Sequence, residues 1–287
     1  MGFEKTSIFI EAREVEYSYE SEEGKSVTAL SGINLVINRG DYIALIGPNG
    51  SGKTTLLKLF NALLTPTAGL ITVDRLPTTD ISVLQIIRQK CGMIFQNPDN
   101  QLVATTVEED IAFGLENMAL SPEEIKKRVD EVSAIFGLRD YLQHPPHFLS
   151  GGEKQRVAIA GTFAMRPECI LMDEPTAMLD PMSRNDVLNT VKMLNSNYKL
   201  AFINVTHSPF EAALADKVIV LNEGRIKKIG PPESVLTDLE LLHELGLEGT
   251  VATELAILLR NDGCGIPSTI VHNRELLEYL CLLEQKT

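Results

Sequence analysis

The chain has 287 residues, 44% hydrophobic and 23% charged, the balance of a globular protein with one large domain or two modest ones. That hydrophobic fraction excludes a wholly disordered chain, and Gly (20) and Pro (14) show no period, which excludes collagen-like and low-complexity classes. Lys and Arg total 26 against 39 Asp and Glu, a formal charge of −13 that repels a phosphate backbone; duplex-wide nucleic-acid binding is not expected, but one small phosphate ligand held by backbone N–H groups is compatible.

The opening Met-Gly-Phe-Glu-Lys-Thr has no basic region followed by an apolar stretch, so no secretory signal is expected. Its fit to the loose myristoylation pattern through Gly2 and Thr6 is a chance match. No apolar run approaches the roughly 20 residues that cross a bilayer, so a cytosolic chain is expected, with any membrane role exercised through a partner.

Short apolar runs at Tyr42–Ile46, Cys91–Phe95, Cys169–Met172, Leu200–Val205 and Lys217–Leu221 predict strands buried on both faces, as in a parallel sheet. Helix signals lie between them: a helix over Thr55–Leu64, and capping boxes at Thr106-Val-Glu-Glu109 and Ser121-Pro-Glu-Glu124, the second with Pro at the first helical position. Residues from about 97 to 165 read as a charged helical insertion. Asn222-Glu-Gly224 reads as a hairpin turn between Val218–Leu221 and Arg225–Ile229. From Pro231-Pro232 onward, leucine-rich segments split by Gly246, Gly249, Gly263, Gly265 and Pro267 predict short amphipathic helices. The expected organisation is an α/β domain over 1–231 with some antiparallel strands, then a small C-terminal domain over 232–287. The four cysteines, Cys91, Cys169, Cys264 and Cys281, have no metal-ligand or redox spacing and read as buried thiols in a reducing compartment.

Gly47-Pro-Asn-Gly-Ser-Gly-Lys53-Thr54 fits the P-loop pattern, between an apolar strand and a helix opening at Thr55. Through Asn49, Gly50, Ser51 and Gly52 the glycines let successive backbone N–H groups converge on a phosphate at a helix N-terminus; Lys53 supplies a mobile cation and Thr54 a hydroxyl for Mg²⁺. Cys169-Ile-Leu-Met-Asp173-Glu174 is an apolar strand ending in two carboxylates. Strand alternation points them apart, Asp173 toward the ion and Glu174 toward the attacking water. His207 ends another buried strand at the same carboxyl-terminal edge, where ligands bind in open α/β sheets. Leu149-Ser-Gly-Gly-Glu153 opens a helix and offers a second anion site through Ser150, Gly151 and Gly152. One nucleotide does not need two such sites, so the second is expected to grip the γ-phosphate of an ATP held by another subunit.

In this order, these motifs make roughly residues 8–235 resemble an ATP-binding cassette (ABC) ATPase subunit. The resemblance implies a P-loop NTPase core with a mostly parallel sheet, an antiparallel β subdomain and a helical insertion. It implies that Tyr19 stacks on adenine, that Gln96 reaches Mg²⁺ and the attacking water, that His207 senses the γ-phosphate, and that Asp180, in Met178-Leu-Asp180, crosses a dimer interface. Glu153 stands where many members have Gln, and little effect is expected because both present a side-chain oxygen. Gln96-Asn-Pro-Asp-Asn-Gln101 followed by Thr105–Gly114 is similar to the ATPases of energy-coupling-factor (ECF) transporters, importers of vitamins or of cobalt and nickel ions.

The reading that follows is a head-to-tail ATPase dimer, identical or mixed, which hydrolyses two ATP with Mg²⁺. It docks from the cytoplasmic side on a transmembrane coupling protein that holds a separate substrate-binding membrane protein. Three other readings are weighed: another importer or exporter class, a nucleic-acid- or ribosome-associated ABC ATPase, and a nucleotide-binding regulator without turnover. The single P-loop, the absence of heptads and the negative charge argue against the nucleic-acid class; Asp173, Glu174 and His207 argue against the regulator.

Overall fold

The computed structural model describes residues 8–20 and 26–284; Gly2 and Thr6 lie outside them. Two long strands, β1 (Ile8–Glu20) and β2 (Ser26–Asn38), pair antiparallel, and β4 (Ala68–Val73) and β5 (Leu76–Pro77) complete a four-stranded sheet in the order β2-β1-β4-β5. A second, six-stranded sheet is built from β3 (Tyr42–Ile46), β6 (Cys91–Ile94), β7 (Cys169–Asp173), β8 (Ala201–Val205), β9 (Lys217–Asn222) and β10 (Arg225–Gly230), in the order β10-β9-β3-β8-β7-β6. It is parallel except for the edge strand β10, which returns through the Glu223-Gly224 turn; both turn residues have positive φ, 49° and 71°, as a type I′ hairpin needs.

The central strands are continuously apolar because each face meets a different core. Tyr42, Ala44 and Ile46 of β3, with Ile170, Met172 and Phe202, face a core shared with the helical insertion. Ile43 and Leu45, with Leu171, Ile203 and Val205, face a core shared with α1 (Lys53–Phe60) and the antiparallel sheet. The period-2 alternation of side chains converts one apolar run into the inner walls of both.

After α2 (Leu84–Lys90), the insertion holds α3 (Val107–Asn117), α4 (Pro122–Ile135) and α5 (Gly151–Ala164). Thr106 and Glu109 form the reciprocal capping box of α3. At α4 only half the expected box is made: Ser121 accepts from the Glu124 N–H, but the Glu124 carboxylate is turned to Arg128 Nε at 2.9 Å, one helical turn on. The expected helix to Leu64 stops at Phe60. Asn61 donates its side-chain amide to Cys91 O, Arg88 Nη2 donates to Ala62 O at 2.9 Å, and Ala62 takes a φ of 54°. Tertiary hydrogen bonds outcompete helix propensity there.

Beyond the insertion come α6 (Pro181–Tyr198), α7 (Pro209–Ala212), α8 (Pro232–Val235), α9 (Leu239–Glu244), α10 (Val251–Asn261) and α11 (Asn273–Glu284). The change of pattern at Pro231 is not a break in packing. Val235, Leu236 and Leu242 are fully buried in the larger core, whereas Ala252, Ala256, Ile266, Ile270 and Leu276 make a separate small core between α10 and α11. Cys91 and Cys169 are buried thiols, paired in register across β6 and β7; Cys264 is half-buried and Cys281 exposed, so the expectation of buried thiols fails for these last two.

Candidate active site

β3 delivers the chain to Gly47, and α1 begins at Lys53 with Gly52 as its N-cap at φ 103°. A Cβ on Gly47 would lie 2.0 Å from Leu221 O, and one on Gly52 would lie 2.7 Å from Ala29 O, so β9 and β2 leave room only for glycine. Gly224 N donates to Ser51 O at 3.0 Å, so the β9–β10 turn supports the loop from below. Asn49 and Gly50 are exposed at its crest. Lys53 is 6% exposed and bends over the loop, its Nζ donating to Gly47 O at 2.8 Å and Pro48 O at 2.9 Å. Burial pushes its amine below the usual lysine range, against the opposing pull of Glu174 and Asp173. The Ser51 hydroxyl is buried without a hydrogen-bond partner. An orphaned hydroxyl, glycines that cannot carry a side chain and a lysine poised over the loop fit a bound phosphate group.

Thr54 Oγ1 donates to Asp173 Oδ1 at 3.0 Å. Burial raises the Asp173 carboxyl from its ordinary value, and the Thr54 hydrogen bond opposes that. These two hard oxygens suit a divalent cation such as Mg²⁺. Among the described residues no group of three His, Cys, Asp or Glu side chains could hold a metal, so an ion at this pair would need further oxygen donors, such as the phosphates of a nucleotide.

The carboxylates of Asp173 and Glu174 do diverge, but not by strand alternation. β7 ends at Asp173, and Glu174 takes a left-handed φ of 50° while its N–H still donates to Val205 O at 3.1 Å. A non-glycine residue in that region costs on the order of 1–3 kcal/mol and persists where surrounding structure enforces it. The turn delivers Glu174 between two partners. Gln96 Nε2 donates to Glu174 Oε2 at 3.1 Å, and His207 Nε2 lies 2.9 Å from Glu174 Oε1, the geometry of an Nε2–H donor. With its amide N–H so engaged, Gln96 keeps its carbonyl oxygen for another partner.

Tyr19 is 42% exposed on β1, and its hydroxyl lies 3.1 Å from Thr55 Oγ1, which places the ring beside the start of α1. Ser150 to Glu153 stand apart from this group: among the described residues no hydrogen bond joins them to the P-loop or to Glu174. Ser150 caps α5, and Glu153 Oε2 accepts both the Ser150 N–H at 2.8 Å and its O–H at 2.7 Å. Those bonds hold the Glu153 carboxyl below its usual range. Gly151 is exposed; Gly152 is buried, and a Cβ there would lie 2.6 Å from Ser183 of α6. Asp180 caps α6, accepting from Met182 N at 2.9 Å and Ser183 N at 3.1 Å, between the exposed Met178 and Met182.

The structure therefore gathers the P-loop, Asp173, Glu174, Gln96 and His207 at one sheet edge and leaves Ser150, Gly151 and Asp180 exposed elsewhere in the same chain, with Gly152 buried against α6. Sequence reasoning missed a buried polar group beneath them: Thr176, Asn204 and Glu211. A glutamate in a short helix reads as a surface residue, so only its spacing of four after His207 could have drawn notice.

A family model described as "ABC transporter" matches residues 30–177. The ATP-binding protein EcfA1 of the energy-coupling factor transporter from Caldanaerobacter subterraneus subsp. tengcongensis is 48% identical over 275 residues, 96% of this chain and 99% of that one. Its counterpart from Clostridium novyi is 47% identical over 275 residues, 96% of this chain and 98% of that one. Among solved structures, cbiO1 from Clostridium perfringens, part of the ABC transporter complex cbiONQ, superposes with a TM-score of 0.74 at 37% identity, covering 83% of this chain and 94% of that one. The ATP-binding cassette MJ0796, a dimer bound to ADP and Pi after hydrolysis, gives 0.71 at 32% identity, covering 78% of this chain and 98% of that one. The chain belongs to the ABC transporter family, and its sequence groups it with the ATP-binding subunits of energy-coupling factor transporters.

Proposed function

We propose that this chain, an ABC ATPase, pairs head to tail with a second ATPase subunit, identical or closely related, and that the pair closes on two ATP molecules to drive a membrane importer of the ECF type. The observation that carries the reading is the handling of two adjacent carboxylates. Asp173 is engaged by the P-loop's Thr54, while Glu174 is suspended between Gln96 and His207. One acid is placed for a cation and its neighbour for a water, as phosphoryl transfer requires.

In this reading the N–H groups of residues 49–54 and Lys53 bind the phosphates, Thr55 joins them at the helix start, and Tyr19 packs on the base. When bound through Thr54, Asp173 and Gln96, Mg²⁺ supplies charge neutralisation of the phosphates. Glu174 accepts a proton from the attacking water, His207 donates to the γ-phosphate, and Ser150, Gly151 and Gly152 of the opposite subunit complete the phosphate's surroundings, with Asp180 across the interface. Supporting this division, Ser150 and Gly151 are exposed and unattached to the chain's own P-loop. Gln96 opens the segment leading to α3, and so links the γ-phosphate to a surface bearing the exposed Phe95, Val103 and Phe113, where a transmembrane coupling protein docks.

No helix among the described residues is long and apolar enough to cross a membrane. We place the chain at the cytoplasmic face of the membrane, held there by the coupling protein, with a vitamin or a cobalt or nickel ion recognised by a separate membrane component. Residues 232–287 act in pairing. The test is Glu174→Gln in the assembled transporter: ATP affinity stays unchanged and turnover falls about 10²–10⁴-fold, the range of a lost general base. Phosphate release near the wild-type rate would remove Glu174 from this role.

A further inference from the structure

Two charged side chains are buried among the described residues, Lys53 and Glu211. Lys53 has its task in the P-loop. Glu211, 2% exposed on the short helix α7, has none in the chemistry above, and a buried carboxylate is retained only where good partners compensate its lost hydration.

Its partners come from three different segments of the site. Thr176 Oγ1 donates to Glu211 Oε1 at 2.5 Å; Thr176 is two residues past Glu174 in the link to α6. Asn204 Nδ2 donates to Glu211 Oε2 at 3.3 Å; Asn204 lies on β8, three residues before His207. Arg184 Nε, in the first turns of α6 and four residues past Asp180, stands 3.9 Å from Glu211 Oε1; that nitrogen is buried and makes no hydrogen bond, while the side chain as a whole is 36% exposed. Glu211 itself lies four residues past His207, and its N–H is capped by Ser208 Oγ at 3.4 Å. A pocket of about 310 Å³ lies among these groups, lined by Glu174, Thr176, Arg184, His207 and Glu211 among others. The network thus borders the same pocket as Glu174 and His207. The Tyr42 hydroxyl is buried too, and its burial above all, with the neighbouring charge of Glu211, pushes its pKa up.

We propose that Glu211 is a positioning residue for ATP hydrolysis: through Thr176 and Asn204 it sets the spacing between Glu174 and His207, and through Arg184 it ties that spacing to the helix capped by Asp180. The inference rests on the roles given above to Glu174, His207 and Asp180. The left-handed turn at Glu174 needs an anchor just downstream, and Thr176 supplies it. The loose Arg184 contact gives α6 a route to the same carboxylate, so movement of Asp180 on pairing is felt at Glu174 without any direct contact between them.

The experiment uses full-length chain in the assembled transporter, with Glu211→Gln, Thr176→Val, Thr176→Ser and the double variant Glu211→Gln/Thr176→Val. Each is read by steady-state phosphate release, by equilibrium ATP affinity and by ATP bound per chain. The expectation is a kcat lowered about tenfold or more in Glu211→Gln and Thr176→Val, with affinity and stoichiometry kept, because misplaced groups slow the chemistry without weakening binding. Thr176→Ser, which keeps the hydroxyl, restores turnover, and the double variant falls no further than the worse single one. Wild-type kcat in Thr176→Val, a Thr176→Ser as slow as Thr176→Val, or a loss of turnover matched by a loss of ATP-binding stoichiometry would each overturn the proposal. Glu174→Gln runs alongside. If Glu174→Gln is inactive while Thr176→Val is normal, only this inference fails; if Glu174→Gln turns over normally, the reading of the site fails with it.

Discussion

In the proposed function Lys53 serves binding and Glu174 serves chemistry, and their different hydrogen-bond partners make that division testable. The Lys53 ammonium rests on the carbonyls of Gly47 and Pro48 inside the loop, so its loss removes a phosphate contact and leaves those carbonyls unpaired. Lys53→Ala should weaken equilibrium ATP binding at least about tenfold, a contact of roughly 1.4 kcal/mol or more, measured by fluorescent-nucleotide titration; unchanged affinity would show that the lysine does not reach the phosphates. At this scale the sequence makes the P-loop, Asp173, Glu174 and His207 legible, because phosphate chemistry tolerates few substitutes at fixed spacing. It hides the means of their placement. Nothing in Met172-Asp-Glu-Pro175 announces a left-handed Glu174, and nothing in Ser208-Pro-Phe-Glu211 announces that this glutamate turns inward to Thr176 and Asn204.

Elements read well where one physical effect dominates. The five parallel strands show as apolar runs because both faces are buried, and the β9–β10 hairpin shows because Glu223-Gly224 must adopt positive φ. The two longest strands, β1 and β2, give no such run. One face of each is solvated, and shifts in their pairing register break the alternation. In the C-terminal segment a change of pattern is not a break in packing: Pro231-Pro232 marks the change, but Val235, Leu236 and Leu242 are buried in the larger core. A chain ending at residue 231 should lose about 1.5–3 kcal/mol for each of these side chains and be markedly less stable. A chain ending at Glu248 should unfold near the full-length midpoint, since only Val271 leaves the larger core. If α10 and α11 serve pairing, that shorter chain should also self-associate more weakly without nucleotide in a sizing experiment; undiminished association would assign them another task.

Across the whole molecule, two sheets must move as one body for nucleotide at one edge to be felt elsewhere. At the opposite, amino-terminal edge of the parallel strands, Arg39, Asp74, Lys90 and Glu168 form an ion-pair network that joins the end of β4 to α2 and the start of β7, with Arg39 also stacked over Phe9 at 5.1 Å. The hydrogen bond from Lys90 above all, and the charges of Lys90 and Arg39, hold the Asp74 carboxyl below its usual range despite partial burial. A depressed folded-state value means that the stabilisation is complete above the unfolded value of about 3.9 and is lost as the pH falls through the folded one. Lys90→Met should therefore cost about 1 kcal/mol in urea unfolding at pH 7, and the difference from wild type should shrink as the pH is lowered below about 4. A difference independent of pH would mean that packing, not charge, joins the sheets.

Ser150 and Gly151 are exposed and, among the described residues, make no hydrogen bond to their own P-loop, so the proposed site stands on a second subunit supplying them. The most direct measurement is disulfide cross-linking between Asn49 and Ser150, both exposed, each replaced by cysteine in Glu174→Gln chains whose Cys264 and Cys281 are changed to serine. Addition of ATP with Mg²⁺ should bring the pair into reach and produce a covalent dimer that ADP does not. A dimer that never forms under any nucleotide condition, with both cysteines shown to be reactive, would contradict the account.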